Sequence, residues 1–337
     1  HVILERRRAF DVKMTLENLQ HAHRQALQLL QSNSVKEAKK QLLVLANHNF
    51  PPAMFDLAMF LLMNASDETT TSSAINYLLQ AEAQNYAPAI YQLASFSITD
   101  SVVTFNWNEL NSRLKQCCVL ENANALCDVA LLFAHYGSDL QKRISTALLE
   151  LSAVKGSAVA LALLAERLAS GFLCRQDIAR ANSLKRLAIN AGFPLSSPEH
   201  QYGFSAPEPS NINQINLTDL DLDAQLTEIT TASVALDECI HLKLASHFFS
   251  AEECLFIQCM GAPFIKPSVT VGEDGQIHTN KIRSSFEFMF QAENESVYLK
   301  LLQRRMANAV NIPLKNAEQL ILLRYAPGQE YKPHRDY

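Results

Sequence analysis

Four copies of one short pattern mark the first half of the chain, beginning with Ala53-Met54-Phe55-Asp56-Leu57-Ala58. The other copies begin at Ala89, Ala125 and Ala160, so that successive first alanines are 36, 36 and 35 residues apart. A repeat of this length is typical of stacked helix pairs. Small residues at this spacing let two helices approach closely, while larger apolar residues fill the space between pairs. The pattern therefore predicts an α-solenoid in which the four alanines are buried at equivalent positions.

Helix-breaking residues lie between these copies, where turns are needed. Pro51-Pro52, Pro88 and Gly156 mark the entry to the first helix of a unit, where the missing amide hydrogen of proline costs nothing. One further helix is predicted ahead of the repeats, over residues 10–32, so the predicted helical domain spans residues 10–194. An irregular helical bundle with an accidental period is the alternative that the pattern alone leaves open.

Residues 35–194 resemble the Sel1-like branch of the tetratricopeptide-type repeats, on the alanine spacing and the positions of the turns. The resemblance implies alanine-rich, TPR-like helix pairs in a curved solenoid. Glycines that the family places between its helices are mostly absent here, and Gly171 is the best preserved of them. The array is therefore a divergent one. A concave solenoid is a natural docking surface for a polypeptide, which favours a protein or peptide as the substrate.

The helical period stops near Pro194, and residues 195–234 are predicted as a linker because proline, serine and polar residues dominate there. Residues 235–337 then mix strands with helices, so the fold class is α+β and multidomain. Ser250 can cap a helix in which Glu253 completes a capping box, and this helix is predicted to run to Met260. Strands are predicted over residues 263–271, 282–290 and 319–325, and a second helix over residues 295–310.

The last predicted strand leads to a pair of residues with metal-ligand chemistry, His334 and Asp336. Residues two apart in an extended segment point the same way, so this pair can offer an imidazole and a carboxylate to one metal ion. A third ligand would complete a facial triad that leaves positions open on an iron ion. The spacing alone is a weak signal, because a surface histidine paired with a carboxylate produces it too.

The surroundings of this pair are more specific. It follows Tyr325-Ala326-Pro327-Gly328-Gln329-Glu330-Tyr331-Lys332-Pro333, and three motifs precede that string in order: Phe249-Ser250-Ala251-Glu252-Glu253-Cys254, Pro267-Ser268-Val269 and Ile282-Arg283-Ser284-Ser285. Together these motifs resemble the prolyl 4-hydroxylase family, over about residues 240–337. The resemblance implies the N-terminal part of a double-stranded β-helix, or jelly roll, that belongs to a 2-oxoglutarate- and Fe(II)-dependent dioxygenase.

The resemblance also implies a role for each matching residue. His334 and Asp336 would be the iron ligands and hence catalytic, Tyr325 would lie by the cosubstrate pocket, and Tyr331 would lie close to the iron. Arg283 would lie at the mouth of the substrate site, and residues 272–280 would cover the peptide. The implied cofactors are Fe(II), the cosubstrate 2-oxoglutarate and ascorbate. The implied function is hydroxylation of a peptidyl, prolyl-like substrate docked with help of the repeats. The alternative is a helical-repeat adaptor whose oxygenase domain is degenerate and non-catalytic.

The family places a distal histidine and a lysine or arginine for 2-oxoglutarate downstream of the aspartate, whereas this sequence ends at Tyr337. A jelly roll needs about eight strands, and residues 240–337 supply about four. We therefore expect the jelly roll to be incomplete in this chain, and these 337 residues to be inactive by themselves.

Composition restricts the class of protein further. The net charge of −5 gives no electrostatic reason to expect a nucleic acid or an anionic membrane as partner. The longest small and apolar run, residues 158–165, is far shorter than a membrane span, and the charged N-terminus lacks the apolar core of a signal peptide. Seven cysteines without a Cys-x-x-Cys motif favour buried free thiols, such as Cys127, Cys254 and Cys259, and a cytoplasmic location.

Overall fold

The computed structural model describes residues 15–65, 67–99, 106–190, 192–193, 216–231, 237–239, 242–271, 277–278, 283–291 and 295–333. The chain divides into two compact units, His1–Leu93 and Ala94–Tyr337, and the division falls inside one helix. The domain boundaries near residues 194 and 234 stay a prediction. The described helices of the first unit are α1 (Leu16–Gln31), α2 (Val35–Asn47), α3 (Pro51–Met63), α4 (Glu68–Glu82) and the start of α5 (Ala87–Thr99).

Consecutive helices of the first unit pack against each other from α1 to α4. The Thr15 and Asp67 side chains cap α1 and α4 by accepting bonds from backbone amides of the first turn. Pro51 and Pro52 occupy the first two positions of α3, as the sequence predicted.

The second unit continues with α6 (Trp107–Val119), α7 (Ala123–Tyr136), α8 (Asp139–Val154), α9 (Ala158–Ser170) and α10 (Ile178–Asn190), each packed on the next one as far as α10. The helical-repeat prediction is confirmed at its alanines. Ala53, Ala89, Ala125 and Ala160 each occupy the third position of a helix, and each is 0% exposed.

A left-handed residue recurs two positions before each of these four helices. Asn49, Asn85, Glu121 and Gly156 have φ angles of 59°, 58°, 53° and 101°. Only one of the four is a glycine. Asparagine tolerates this conformation better than other residues with a Cβ, so two of the turns keep their shape at little cost.

The predicted linker contains a helix that the sequence analysis missed. Helix α11 (Asp223–Thr231) follows a 3₁₀ turn at Leu217–Asp219, and its Leu226 and Ile229 are buried. It packs against α7 and against the last helix of the chain, α13 (Val297–Ala309). Nine residues with few apolar positions give a weak helical period, so its stability comes from this packing.

In the described part of the chain, the other helix is α12 (Ala251–Gly261), and seven short strands form three antiparallel sheets. The strands pair as β1 (Asp237–Cys239) with β2 (Leu242–Leu244), and β4 (Thr270–Val271) with β5 (Ile277–His278). The third sheet has the order β3-β6-β7, formed by β3 (Lys266–Pro267), β6 (Phe286–Met289) and β7 (Ile321–Arg324). The jelly roll is not confirmed by the residues that the structure describes and stays a prediction.

Two sequence expectations need correction. The continuous strand predicted over residues 263–271 is interrupted: a 3₁₀ turn at Ala262–Phe264 is followed by two separate two-residue strands. Pro263 favours that turn, and Pro267 lacks the amide hydrogen that a longer ladder would need. Cys254 is exposed rather than buried, whereas Cys127 and Cys259 are buried; the six cysteines whose side chains are described are all free thiols.

No helix in the described part of the chain is both long and apolar enough to cross a bilayer by itself, and α6 with α7 would reach the required length only across a bend of 116°.

Candidate functional site

The three-stranded sheet forms the centre of the region that carries the predicted site. Strands β6 and β7 pair antiparallel, with Glu287 opposite Leu323 and Phe286 opposite Arg324. One face of the sheet lies against the C-terminus of α12. A Cβ atom added to Gly261 would lie 2.6 Å from Leu322 Cδ2 and 3.2 Å from Phe288 Cδ1, so helix and sheet approach closely only because this residue is glycine.

The opposite face of the sheet carries an exposed apolar row along β7, with the charged Glu287 of β6 opposite Leu323. Ile321, Leu323 and Tyr325 alternate along β7 and its extension, and they are 38%, 45% and 43% exposed. Met289, which pairs with Ile321 on β6, is 41% exposed. Residues that alternate in this way lie on one side of the sheet. Tyr325, the predicted cosubstrate contact, therefore lies at the end of an exposed apolar row.

The turn after β7 is built by the motif that suggested the function. The Ala326 amide donates to Gln329 Oε1 (2.7 Å), and the Gln329 amide donates back to the Ala326 carbonyl (2.9 Å). Gly328 between them has a φ of 85°, a left-handed value that glycine adopts without strain. The Gly-Gln pair of the motif thus closes a tight turn that brings the chain back toward β6.

Beyond the turn, the chain is fastened to the Arg283-Ser284-Ser285 motif. The Ser284 amide donates to the Glu330 carbonyl (3.0 Å), while the Glu330 amide donates to Ser284 Oγ (2.9 Å). Arg283 and Tyr331 form an antiparallel bridge, and the guanidinium carbon lies 5.0 Å from the centre of the tyrosine ring. The structure therefore brings together two of the predicted site residues, Arg283 and Tyr331, which are 48 positions apart in the sequence.

Arg283 is held in place on every side. Its Nη2 lies 3.0 Å from Glu287 Oε2, and its Nε donates to Ser285 Oγ (3.0 Å). Ser285 Oγ is in turn 2.9 Å from the Oγ atom of Ser268, the buried residue of the Pro267-Ser268-Val269 motif. Three motifs that the sequence analysis treated as separate signals are thus parts of one hydrogen-bonded assembly. The guanidinium group keeps its charge balanced by Glu287 and its orientation fixed by the tyrosine ring.

The predicted metal ligands His334 and Asp336 lie outside the described residues. Pro333 is the last described residue, and in the sequence His334 follows Tyr331 of the Arg283–Tyr331 bridge by three positions. Within the described ranges, no group of three histidine, cysteine, aspartate or glutamate side chains could hold a metal ion. The fit of an iron ion therefore rests on the donor chemistry of the predicted pair, imidazole and carboxylate, and stays a prediction.

The structure also shows a buried polar cluster that the sequence analysis did not single out. Glu252 accepts two hydrogen bonds from Arg167, one from Nε (2.5 Å) and one from Nη2 (3.0 Å). Its carboxylate also lies 3.0 Å from His135 Nε2. Burial by itself raises the pKa of Glu252, but Arg167 and His135 outweigh it and hold this pKa at about 2. The sequence signal was Arg167 in the largely apolar α9, since a charged residue on the buried side of such a helix needs a buried partner.

The neighbouring carboxylate faces a different set of partners. Glu253 accepts bonds from Arg305 Nη1 and Nη2 (both 3.1 Å) and from the hydroxyl groups of Tyr136 (3.1 Å) and Tyr298 (2.9 Å). It also completes the predicted capping box by accepting from the Ser250 amide, which confirms that expectation. Two adjacent glutamates therefore anchor the start of α12, one to the helical repeats and one mainly to α13.

Comparison with known proteins supports the resemblance found in the C-terminal motifs. Prolyl 4-hydroxylase 1 of Arabidopsis thaliana is 30% identical over 120 residues, which are 35% of this chain and 42% of that protein. Prolyl 4-hydroxylase 5 of the same plant is 32% identical over 93 residues, which are 27% of this chain and 31% of that protein. The chain thus spans less than half the length of these curated relatives. No protein-family model matches the chain.

Two solved structures of repeat proteins are also similar. A Sel1 repeat protein from Oxalobacter formigenes aligns with a TM-score of 0.44 and 21% identity, over 52% of this chain and 74% of that chain. A protective antigen with an SLR fold from uropathogenic Escherichia coli aligns with a TM-score of 0.39 and 18% identity, over 46% of this chain and 34% of that chain.

Proposed function

We propose that this chain supplies part of a 2-oxoglutarate- and Fe(II)-dependent hydroxylase that acts on a peptidyl, prolyl-like substrate. The similarity to prolyl 4-hydroxylases supports the reaction class. The observation that carries the proposal is the Arg283–Tyr331 bridge, because it joins the motif ahead of His334 to a motif far upstream. A chance match of isolated motifs gives no reason for their residues to meet in space.

The proposed roles follow the positions of the residues. His334 and Asp336 would hold Fe(II), and Tyr325 would contact 2-oxoglutarate from the exposed face of the sheet. The bound metal, with 2-oxoglutarate and dioxygen, supplies the oxidising chemistry that hydroxylates a C–H bond, and ascorbate keeps the iron reduced. Tyr331 and Arg283 would fix the segment that leads to the ligand pair. Glu287 and Ser285 orient Arg283, so its guanidinium group can face a substrate without changing its conformation.

The exposed face of β7 supports the proposed jelly roll. Ile321, Leu323 and Tyr325 form an apolar row whose exposure to water is unfavourable. The two sheets of a jelly roll pack against each other through apolar faces of this kind. We propose that this row faces the interior of the complete double sheet. The cosubstrate would then bind on the inner side of the double sheet, where water is largely excluded. There the carboxylates of 2-oxoglutarate would interact more strongly with the protein.

The proposed substrate is a peptide because helical repeats are present in the same chain. Arrays of helix pairs offer extended surfaces on which polypeptides dock. The repeats would raise the local concentration of a tethered peptide near the site and so lower its apparent KM without touching the reacting atoms.

The test is an assay of the protein in its full natural length with Fe(II), 2-oxoglutarate, ascorbate and proline-containing peptides. We expect succinate release that depends on the peptide, and we expect His334→Ala and Asp336→Ala each to abolish both iron binding and turnover. His48→Ala, which removes an exposed histidine in the other unit, is the matched control and should leave turnover unchanged. Turnover that persists in either ligand variant would contradict the assignment. Peptide binding without any succinate from the unmodified protein would favour the non-catalytic adaptor.

A further inference from the structure

Helix α12 is held at both ends by different parts of the second unit. Its start is bound to α9 by the Arg167–Glu252 ion pair, in which both side chains are buried. Along its length, Cys259 and Leu255 pack with Ala162, Ala188 and Phe193 in one apolar cluster. At its end, Gly261 touches Leu322 of β7. The helix therefore connects the repeats directly to the strand that leads into the candidate site.

The Arg167 side chain is fully engaged at the buried end of this connection. Besides its two bonds to Glu252, its Nη1 donates to Ser145 Oγ and Thr146 Oγ1 on α8, both at 3.1 Å. His135 of α7 approaches the same glutamate from another side. Two helices of the repeats, α9 and α7, thus contact one carboxylate of α12, and a third helix, α8, holds the Arg167 side chain. A guanidinium group bound in this way allows one orientation of its partner carboxylate, because Nε and Nη2 both donate to it while Nη1 is bound elsewhere.

Stability alone does not account for such a pair. Removing two charges from water costs about as much as their attraction returns, and well-packed apolar residues in their place are often equally stable. Unlike an apolar contact, a bidentate pair fixes the relative orientation of its two side chains. Two apolar side chains tolerate small rotations and shifts, whereas two hydrogen bonds do not. The buried position of Arg167 therefore suggests a requirement for geometry at the far end of α12.

We propose that Arg167, a residue of the helical repeats, is a positioning residue for the candidate site on β7. Arg167 fixes the start of α12 through Glu252. Helix α12 in turn fixes the position and tilt of β7 through the Gly261–Leu322 contact, and β7 leads into Tyr325 and the turn to Tyr331. Its importance for catalysis rests on the proposed function, but the geometric claim does not. The repeats are then a structural part of the site and more than a surface for docking.

The test measures amide hydrogen exchange in the 337-residue chain, which requires neither iron nor turnover. The decisive variant replaces both partners by apolar residues, Arg167→Met with Glu252→Met, so that neither member of the pair is left as a buried charge without the other. We expect the denaturation midpoint to stay close to that of the unmodified chain, while exchange at the Ser284 and Phe290 amides, which bond to Glu330 and Leu320, rises roughly tenfold or more. Exchange in α7 and α8 should change by less than about threefold.

A conservative variant tests the same idea where the double variant is poorly folded. Arg167→Lys keeps the charge but loses the bidentate contact with Glu252. We therefore expect the same selective rise in amide exchange at β6 and β7, with a smaller amplitude. The matched control is Arg180→Met with Glu150→Met, an ion pair between α8 and α10, which should leave exchange in the sheet unchanged.

Exchange that rises equally in the sheet and in α7 and α8, in either Arg167 variant, would show that the pair only stabilises the unit and would overturn the proposal. The same holds if exchange in the sheet does not rise at all. A failure of the hydroxylase proposal has a different signature: turnover would be absent in the unmodified full-length protein while the selective exchange effect remained.

Discussion

The hydroxyl group of Tyr298 donates a 2.9 Å hydrogen bond to Glu253, and both side chains are buried. This bond joins α13 to α12 beside the Arg305–Glu253 ion pair, and Tyr298 also packs edge-on against Phe256, with the ring centroids 5.4 Å apart. Burial and the adjacent Glu253 raise the pKa of Tyr298 well above its usual value, so the hydroxyl group stays protonated and remains a donor. A glutamate with this many donors stays charged, which gives the two helices a fixed polar contact.

The first prediction concerns acid stability and Glu252. Its folded-state pKa of about 2 lies below the ordinary value of 4.5, so its ion pair contributes stability that is fully present above about pH 4.5 and is lost as the pH falls toward 2. Glu252→Gln should lower the free energy of unfolding at pH 7 by about 3–5 kcal/mol, because Arg167 is left buried without a counter-charge. Between pH 4.5 and 2 the variant should lose less stability than the unmodified chain. Urea unfolding at several pH values measures this; parallel curves would contradict the assigned pair.

The second prediction concerns the contact of α12 with the sheet. Gly261→Ala places a methyl group against Leu322 and should lower the free energy of unfolding by about 1–3 kcal/mol through overpacking. Adding Leu322→Ala makes room for that methyl group, so the double variant should be more stable than the sum of the two single effects implies. Chemical denaturation of the four proteins in this cycle gives the coupling. Strict additivity would show that the two residues do not touch.

The third prediction concerns the repeats. Ala125→Leu should destabilise the chain by about 1–3 kcal/mol, since Ala125 is fully buried at the third position of α7 and a larger side chain cannot fit there. Ala179→Leu provides the control, because Ala179 is exposed near the start of α10 and should change stability by less than about 0.5 kcal/mol. Thermal unfolding followed by circular dichroism compares them. Equal shifts in the two variants would argue against close helix packing at the repeat alanines.

The fourth prediction concerns the bridge in the candidate site. Tyr331→Leu removes the ring from beneath the Arg283 guanidinium group and should destabilise the segment by about 0.5–1 kcal/mol, while Tyr331→Phe keeps the ring and should have little effect. Exchange of the Ser284 amide, which bonds to Glu330, reports on the bridge locally. If Tyr331→Phe and Tyr331→Leu accelerate that exchange equally, the hydroxyl group of Tyr331 rather than its ring holds the segment.

Local features were the ones that the sequence could predict. The regular recurrence of the repeat alanines along the chain anticipated their burial, and Ser250 with Glu253, which lies within one helical turn of it, anticipated the capping box. The Arg167–Glu252 pair joins residues 85 positions apart, and no local pattern states which buried charges will meet. Helix α11 was missed for a similar reason, since its stability depends on α7 and α13 rather than on its own period.

The left-handed residues at Asn49, Asn85, Glu121 and Gly156 have a consequence for how the chain can change in length. Each one makes the same backbone reversal ahead of a helix that begins two residues later. A segment bounded by two such reversals could be deleted or duplicated and the flanking chain would still enter the next helix through a turn of the same shape. Related chains could therefore differ by whole multiples of about 36 residues, whereas insertions of other lengths would have to lie in the turns.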